Sequence, residues 1–199
     1  MILPSIRTTV KSGAEDLTNN GVHTNFKILD FWKWSMSNLL SNATRGIFSE
    51  YIVATAMGID INSVRDEWDA YDLVTKEGVK IEVKSASYIQ TWEQKNYSKI
   101  SFSIKKTKAW ERDNNILKGE AKRHANIYVF CLLKNKNLNT INPLELEQWD
   151  FYVVPTIELD KLGAQKTISL NVLKNITDAI SYNQLKDKIN KIIEWLKSK

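Results

Sequence analysis

Ile127-Tyr128-Val129-Phe130-Cys131-Leu132-Leu133 is the longest clean apolar run in the chain. It is rich in β-formers and shows no polar alternation. A strand with one face in water alternates; a continuous run has no face to give to solvent. The run therefore predicts a strand buried on both sides at the centre of a sheet. It is too short to cross a bilayer. Whatever else the chain forms must cover two faces of that strand.

The remaining pattern reads as a mixed α/β chain. Residues 1–26 are polar with scattered apolar side chains and predict an arm. Phe31 to Met57 predicts a helix, continuous or broken. In it Leu39, Leu40, Ala43, Ile47, Tyr51 and Ala54 recur at three- and four-residue steps, and Gly58 makes a stop. Tyr71–Thr75 and Val79–Ala86 predict two strands joined by Lys76-Glu77-Gly78, a three-residue loop whose last position suits a left-handed glycine. Lys99–Ile104 alternates as a third strand, and the polar Trp110–Arg123 predicts loop plus helix. Pro143–Gln148 predicts a short helix, Asp150–Val154 a strand ended by Pro155, and Thr167–Leu170 a short strand. Tyr182–Leu196 is an amphipathic helix with Leu185, Ile189, Ile192, Ile193 and Leu196 on one stripe. The expected fold is α/β, a central mixed β-sheet flanked by helices. A length of 199 residues predicts one domain, with its core over 37–154 and a C-terminal helical extension over 155–199.

Composition narrows the function. The chain is 43% hydrophobic and 26% charged, which fits a globular protein rather than a disordered one. One cysteine, Cys131, excludes a disulfide framework and a cysteine zinc cluster. With no signal-peptide pattern at the start, a reducing, cytoplasmic setting is expected, away from any membrane. No glycine-rich phosphate loop is present, so no nucleotide cofactor is expected. The net charge is only +5, but it is unevenly spread. Lys95 to Lys136 holds eleven basic against three acidic residues, so the rest of the chain is net acidic. A basic middle suits a polyanion such as nucleic acid.

The informative constellation lies in the predicted hairpin. Side chains alternate across a strand, so Glu82 and Lys84 share one face while Ile81 and Val83 share the other. If Thr75 pairs with Val79 across the loop, Asp72 falls opposite Glu82, with Cβ atoms about 5 Å apart. Facing carboxylates repel, and Asp is disfavoured in strands. A divalent cation would offset that repulsion, because two carboxylates, a backbone carbonyl and waters form a hard oxygen site suited to Mg²⁺. Lys84 on the same face would hold a water or meet a phosphate oxygen. Metal and ammonium together would stabilise charge developing on a phosphodiester. Upstream, Glu50 sits in the apolar stretch Ile47-Phe48-Ser49-Glu50-Tyr51. A glutamate in a buried helix needs a partner or a metal. It would reach the site edge as a second-metal ligand or water orienter, or else form a buried ion pair with Arg45 or a lysine.

Asp72, a hairpin turn, Glu82-Val83-Lys84 and an upstream helix carrying Glu50 resemble the PD-(D/E)xK nuclease superfamily, the restriction-endonuclease-like fold. The resemblance covers Ser37 to Val154 in the order helix, three-strand meander, helix, strand. It implies metal-dependent hydrolysis of DNA, leaving a 5′-phosphate and a 3′-hydroxyl. Asp72, Glu82 and the Val83 carbonyl become ligands of Mg²⁺, for which Mn²⁺ would substitute. Lys84 becomes the catalytic lysine, Glu50 the helix acid, and Gln90 an accessory polar residue beyond the lysine strand. Tyr71 stands where many members carry proline. Under this reading Lys105, Lys106, Lys108, Arg112, Lys122 and Arg123 supply backbone contacts, which position a duplex without reading its sequence. Cutting both strands needs two sites, which a homodimer would provide. The rival reading is a non-catalytic nucleic-acid-binding or partner-binding protein that keeps the fold. His23 and His124, the only histidines, lie too far apart in sequence to form a zinc motif. His124 follows Lys122-Arg123 and reads as a surface residue more readily than as a phosphate contact.

Overall fold

The computed structural model describes residues 6, 8–65, 70–111 and 116–199. An N-terminal hairpin of β1 (Asp16–Asn19) and β2 (Val22–Lys27) leads into α1 (Ile28–Met36) and α2 (Asn42–Met57). Then come β3 (Leu73–Val74), β4 (Lys80–Ser87), β5 (Ser101–Ser103), β6 (Thr107–Glu111), β7 (Ile116–Lys122), β8 (Ile127–Leu133) and β9 (Trp149–Pro155). The chain finishes with α3 (Thr156–Asp160), β10 (Thr167–Ser169), α4 (Leu170–Lys174) and α5 (Leu185–Lys197). Among the described residues no helix is long and apolar enough to cross a membrane.

The central sheet has the order β3-β4-β8-β9. β4 and β8 run parallel, in the register Ile81↔Ile127 to Ser87↔Leu133, and the other two pairings are antiparallel. The sheet is therefore mixed, as the sequence predicts. All seven residues of β8 are buried. Its alternation divides them between two cores. Ile127, Val129, Cys131 and Leu133 join Ile52 and Val53 of α2 and Leu185, Ile189 and Ile193 of α5. Tyr128, Phe130 and Leu132 join Phe102, Ile104, Ile168, Leu159 and Leu173 on the opposite face.

The helices end where local chemistry requires. The stretch Phe31 to Met57 is broken at residues 37–41, between α1 and α2. Ser41 caps α2 by accepting the Thr44 N–H, satisfying a donor that has no helical partner. Gly58 closes it at φ 65°, donating its N–H to the last turn. In α5, Leu185, Ile189 and Ile193 sit four residues apart and are buried in the α2 core. Residues 155–199, read from sequence as an extension, thus contribute directly to the packing around the sheet.

Two local expectations are corrected. The third strand forms as β5 but pairs antiparallel with β10, not with β4. Phe102 explains this: its ring sits 5.1 Å from that of Phe130, so β5 lies over the face of the sheet rather than extending its edge. The meander is therefore incomplete. The expected helix over Trp110–Arg123 is instead a hairpin of β6 and β7, paired from Thr107↔Lys122 to Glu111↔Ile116. That stretch has no strand pattern of its own; the 107–111 segment supplies its backbone partner. Parallel strands need a long crossover. Here β5 and the β6–β7 hairpin lie in the connection that returns the chain from β4 to β8.

Phe130 is fully buried between β5 and the sheet. Phe130→Ala should lower stability by about 3–5 kcal/mol, read as a lower urea midpoint at an unchanged slope.

Candidate active site

The β3–β4 hairpin has the register expected from its loop. Leu73 pairs with Ile81 and Val74 with Lys80, and Gly78 takes φ 78° in the turn. Thr75 N–H donates to Val79 O at 3.0 Å. Asp72 continues the edge in two ways. Its backbone N–H donates to Ile81 O at 3.0 Å, and its Oδ2 accepts the Val83 N–H at 2.7 Å. In an extended strand the N–H and C=O of one residue point to the same side. The Val83 carbonyl thus faces the same edge as Asp72, away from β8.

Lys84 joins the two strands' acids. Its Nζ lies 2.5 Å from Glu82 Oε1 and 4.0 Å from Asp72 Oδ2. The Lys84 ammonium thus offsets part of the repulsion between the facing carboxylates. All three side chains are largely sequestered, at 18% exposure for Asp72 and Glu82 and 31% for Lys84. Burial, and then the neighbouring Asp72, pushes the Glu82 carboxyl above its ordinary pKa despite Lys84. Burial would lower the Lys84 pKa, but Glu82, Asp72 and Glu50 outweigh it and hold the ammonium above its ordinary value. Lys84 thus stays charged throughout the neutral range.

Glu50 approaches the cluster from α2. It is 8% exposed and forks onto Arg65, with Nε 2.5 Å from Oε2 and Nη2 2.9 Å from Oε1. The partner is neither Arg45 nor a lysine, the two candidates weighed from sequence. Burial raises the Glu50 carboxyl, Arg65 opposes that, and Asp72 raises it further. Arg45 instead braces the start of α2, donating to Leu40 O at 2.7 Å and Asn42 Oδ1 at 2.6 Å.

Two cavities open on this cluster. One of about 560 Å³, between α2, residues 59–65 and β3, is lined by Glu50, Arg65 and Asp72 together with apolar Ile47, Ile61 and Leu73. The other, of about 140 Å³, is lined by Glu82 and Lys84 with Lys105, His124 and Tyr128. Among the described residues no three or more His, Cys, Asp or Glu side chains form a ready metal cluster. The donors present are nonetheless hard oxygens around a half-buried ammonium. Their chemistry fits a Mg²⁺-sized cation better than a soft metal.

The other expected site residues separate. Lys105, Lys106, Lys108 and Lys122 are exposed, on the approach to the β6–β7 hairpin and on its strands. Arg112 lies outside the described residues. Arg123 is corrected: its side chain has no exposure and bonds Ile104 O at 2.9 Å, Asp160 Oδ1 at 2.6 Å and Gln165 O at 3.3 Å. It ties β5 to the segment after α3 and has no surface to offer a phosphate. Gln90 lines neither cavity of the cluster. Its amide donates to Ser87 O at 2.9 Å and Ser98 Oγ at 3.2 Å, holding the loop after β4. Sequence reading missed Arg65 and Tyr128. No local signal marks Arg65, and Tyr128 sits inside the apolar run.

The sequence profile of the family described as Bacteriophage T4 endonuclease IV matches residues 10–172, which include every member of the cluster. None of the curated proteins matches the chain.

The raised Glu82 pKa makes its charge a burden on the metal-free fold. Glu82→Gln should raise the melting temperature at neutral pH in metal-free buffer. The gain should be full above the raised pKa and fade as pH falls, vanishing below the ordinary glutamate value of 4.5. A gain that grew on acidification would contradict the assignment.

Proposed function

The chain belongs to the bacteriophage T4 endonuclease IV family, and from that premise we propose that it is an endonuclease hydrolysing DNA phosphodiester bonds with a divalent cation at a PD-(D/E)xK-type cluster. One observation carries the assignment of the site: the Lys84 ammonium lies within 4.0 Å of opposed acids on adjacent strands. Asp72, Glu82 and the Val83 carbonyl would hold Mg²⁺, with Mn²⁺ able to replace it. Bound there, the cation would supply Lewis-acid stabilisation of charge on the phosphoryl oxygens.

The chain's own residues do the rest. Lys84, charged at all working pH values, donates to a non-bridging phosphate oxygen and lowers the energy of the crowded phosphorus centre. Glu50 is fixed by Arg65 and held above its ordinary carboxyl pKa. It accepts a hydrogen bond from the attacking water and aligns it with phosphorus. The water oxygen forms the new bond to phosphorus as the bond to the 3′ oxygen breaks. The water's protons pass to solvent and to the leaving oxygen, giving a 5′-phosphate and a 3′-hydroxyl. Lys106, Lys108 and Lys122 are exposed and free to meet backbone phosphates flanking the cut. Cutting both strands of a duplex takes two such clusters, which a homodimer would bring together.

Chelation should abolish cleavage, and Mg²⁺ or Mn²⁺ should restore it. Asp72→Asn, Glu82→Ala and Lys84→Ala should each lower the cleavage rate about 10²–10⁴-fold while leaving the circular dichroism unchanged. Survival of cleavage in Glu82→Ala would overturn the active-site assignment. Binding should fall steeply with salt, and each of Lys106→Gln, Lys108→Gln and Lys122→Gln should reduce the log–log salt slope by about 1. A slope unchanged by all three would remove those lysines from the interface.

A further inference from the structure

The smaller cavity next to Lys84 is built from more than the acid cluster. The parallel register sets Glu82 beside Tyr128 and Lys84 beside Phe130. Side chains at those positions share the face covered by β5, so Tyr128 reaches the same cleft as Glu82 and Lys84. The chain leaving β5 adds Ser103, Lys105 and Thr107, and the turn into β8 adds His124. Three separate stretches of chain, 82–84, 103–107 and 124–128, thus converge with Ala70 on about 140 Å³.

Its walls are chemically one-sided. Lys84 and Lys105 contribute ammonium groups, and Ser103, Thr107 and Tyr128 contribute hydroxyls. Glu82 is the one acid on the wall, and Lys84 already sits 2.5 Å from it. Tyr128 is only 4% exposed as a residue, but it lines the cavity, and its hydroxyl is not among the enclosed polar atoms left without a hydrogen bond. Burial, and then Glu82, holds this phenol above its ordinary pKa, so it remains a donor. His124 Nε2 lies 2.7 Å from Thr107 O. A carbonyl only accepts, so Nε2 carries the hydrogen and the ring is fixed against the cavity wall.

Size limits the ligand. At about 30 Å³ per water, the cavity holds roughly five waters. That accommodates a phosphate group with part of its hydration and excludes a nucleoside, which needs a pocket of several hundred Å³. We propose that this cavity is a phosphate cradle, in which Lys84, Lys105 and the Tyr128 hydroxyl grip the non-bridging oxygens of the DNA phosphodiester under attack, beside a His124 ring that lines it. The assignment of the phosphate to DNA rests on the nuclease reading; the cradle's affinity for an anion does not. Lys105 thereby differs from its exposed neighbours: it holds the reacting group, whereas they meet flanking phosphates. Tyr128 supplies a donor that costs no reorganisation, because packing already fixes its ring.

The test uses the full chain and inorganic phosphate as the probe. With only two histidines, the imidazole resonances are assigned with a His23→Gln control. Phosphate titrated into the millimolar range should shift the His124 and Tyr128 ring signals saturably, leaving His23 unmoved. Lys105→Gln, an exposed change, should abolish the saturable shift. In cleavage assays Lys105→Gln should raise KM about tenfold, the equivalent of one charge-assisted hydrogen bond. Tyr128→Phe should lower kcat/KM by a similar factor at an unchanged melting temperature. Unmoved His124 and Tyr128 signals, or a saturable shift that survives Lys105→Gln, overturn the cradle whatever the enzyme's activity. Saturable binding in a wild-type protein that cuts no DNA keeps the cradle and overturns the nuclease reading instead.

Discussion

Strand β8 gives up both faces and both edges to the protein. Its seven residues are buried, with β4 on one side and β9 on the other. Burying such side chains contributes about 1.5–3 kcal/mol each, and an alternating strand could not do this on two faces. Once β8 is fixed, the parallel pairing fixes β4, and β4 carries Glu82 and Lys84. A slip of one residue would exchange the faces of β4. Ile81 and Val83 would leave the α2 core, and the acid and lysine would enter it. The hydrophobic demand of the two cores therefore sets where the charged cluster points.

The cluster is a local conflict within that stable frame. Asp72, Glu82 and Glu50 approach one another in a partly dry setting, and the carboxyls of Glu82 and Glu50 are pushed up as a result. Lys84 and Arg65 relieve the repulsion only in part. Such an arrangement does nothing for folding that a neutral pair would not do better. Under the function proposed above, it is a place prepared to receive positive charge and to act on negative charge. Asp72 is held by the Val83 N–H as well as by electrostatics, so the conflict is contained without the hairpin opening.

Basic residues in the middle of the chain divide by what lies beneath them. Lys106, Lys108 and Lys122 reach solvent, whereas Arg123 turns inward to satisfy two backbone carbonyls and Asp160. Composition treats these neighbours alike. Arg has a planar fork of donors that suits carbonyls inside a protein as well as phosphates outside it. Gln90 follows the same rule, because an amide near a loop finds backbone partners before it finds a ligand.

Short-range geometry was legible in the amino-acid order. The loop Lys76-Glu77-Gly78 set the hairpin register, and period-two alternation then placed Glu82 and Lys84 on one face, because both depend on residues a few positions apart. The apolar run announced β8 because no other environment tolerates it. Tertiary structure alone decided that β5 pairs with β10, that Arg65 meets Glu50, that Arg123 is internal, and that Tyr128 stands beside Glu82. Those partners are distant in sequence, and each is selected by the free energy of the whole packed arrangement. No property of the individual segments encodes that choice.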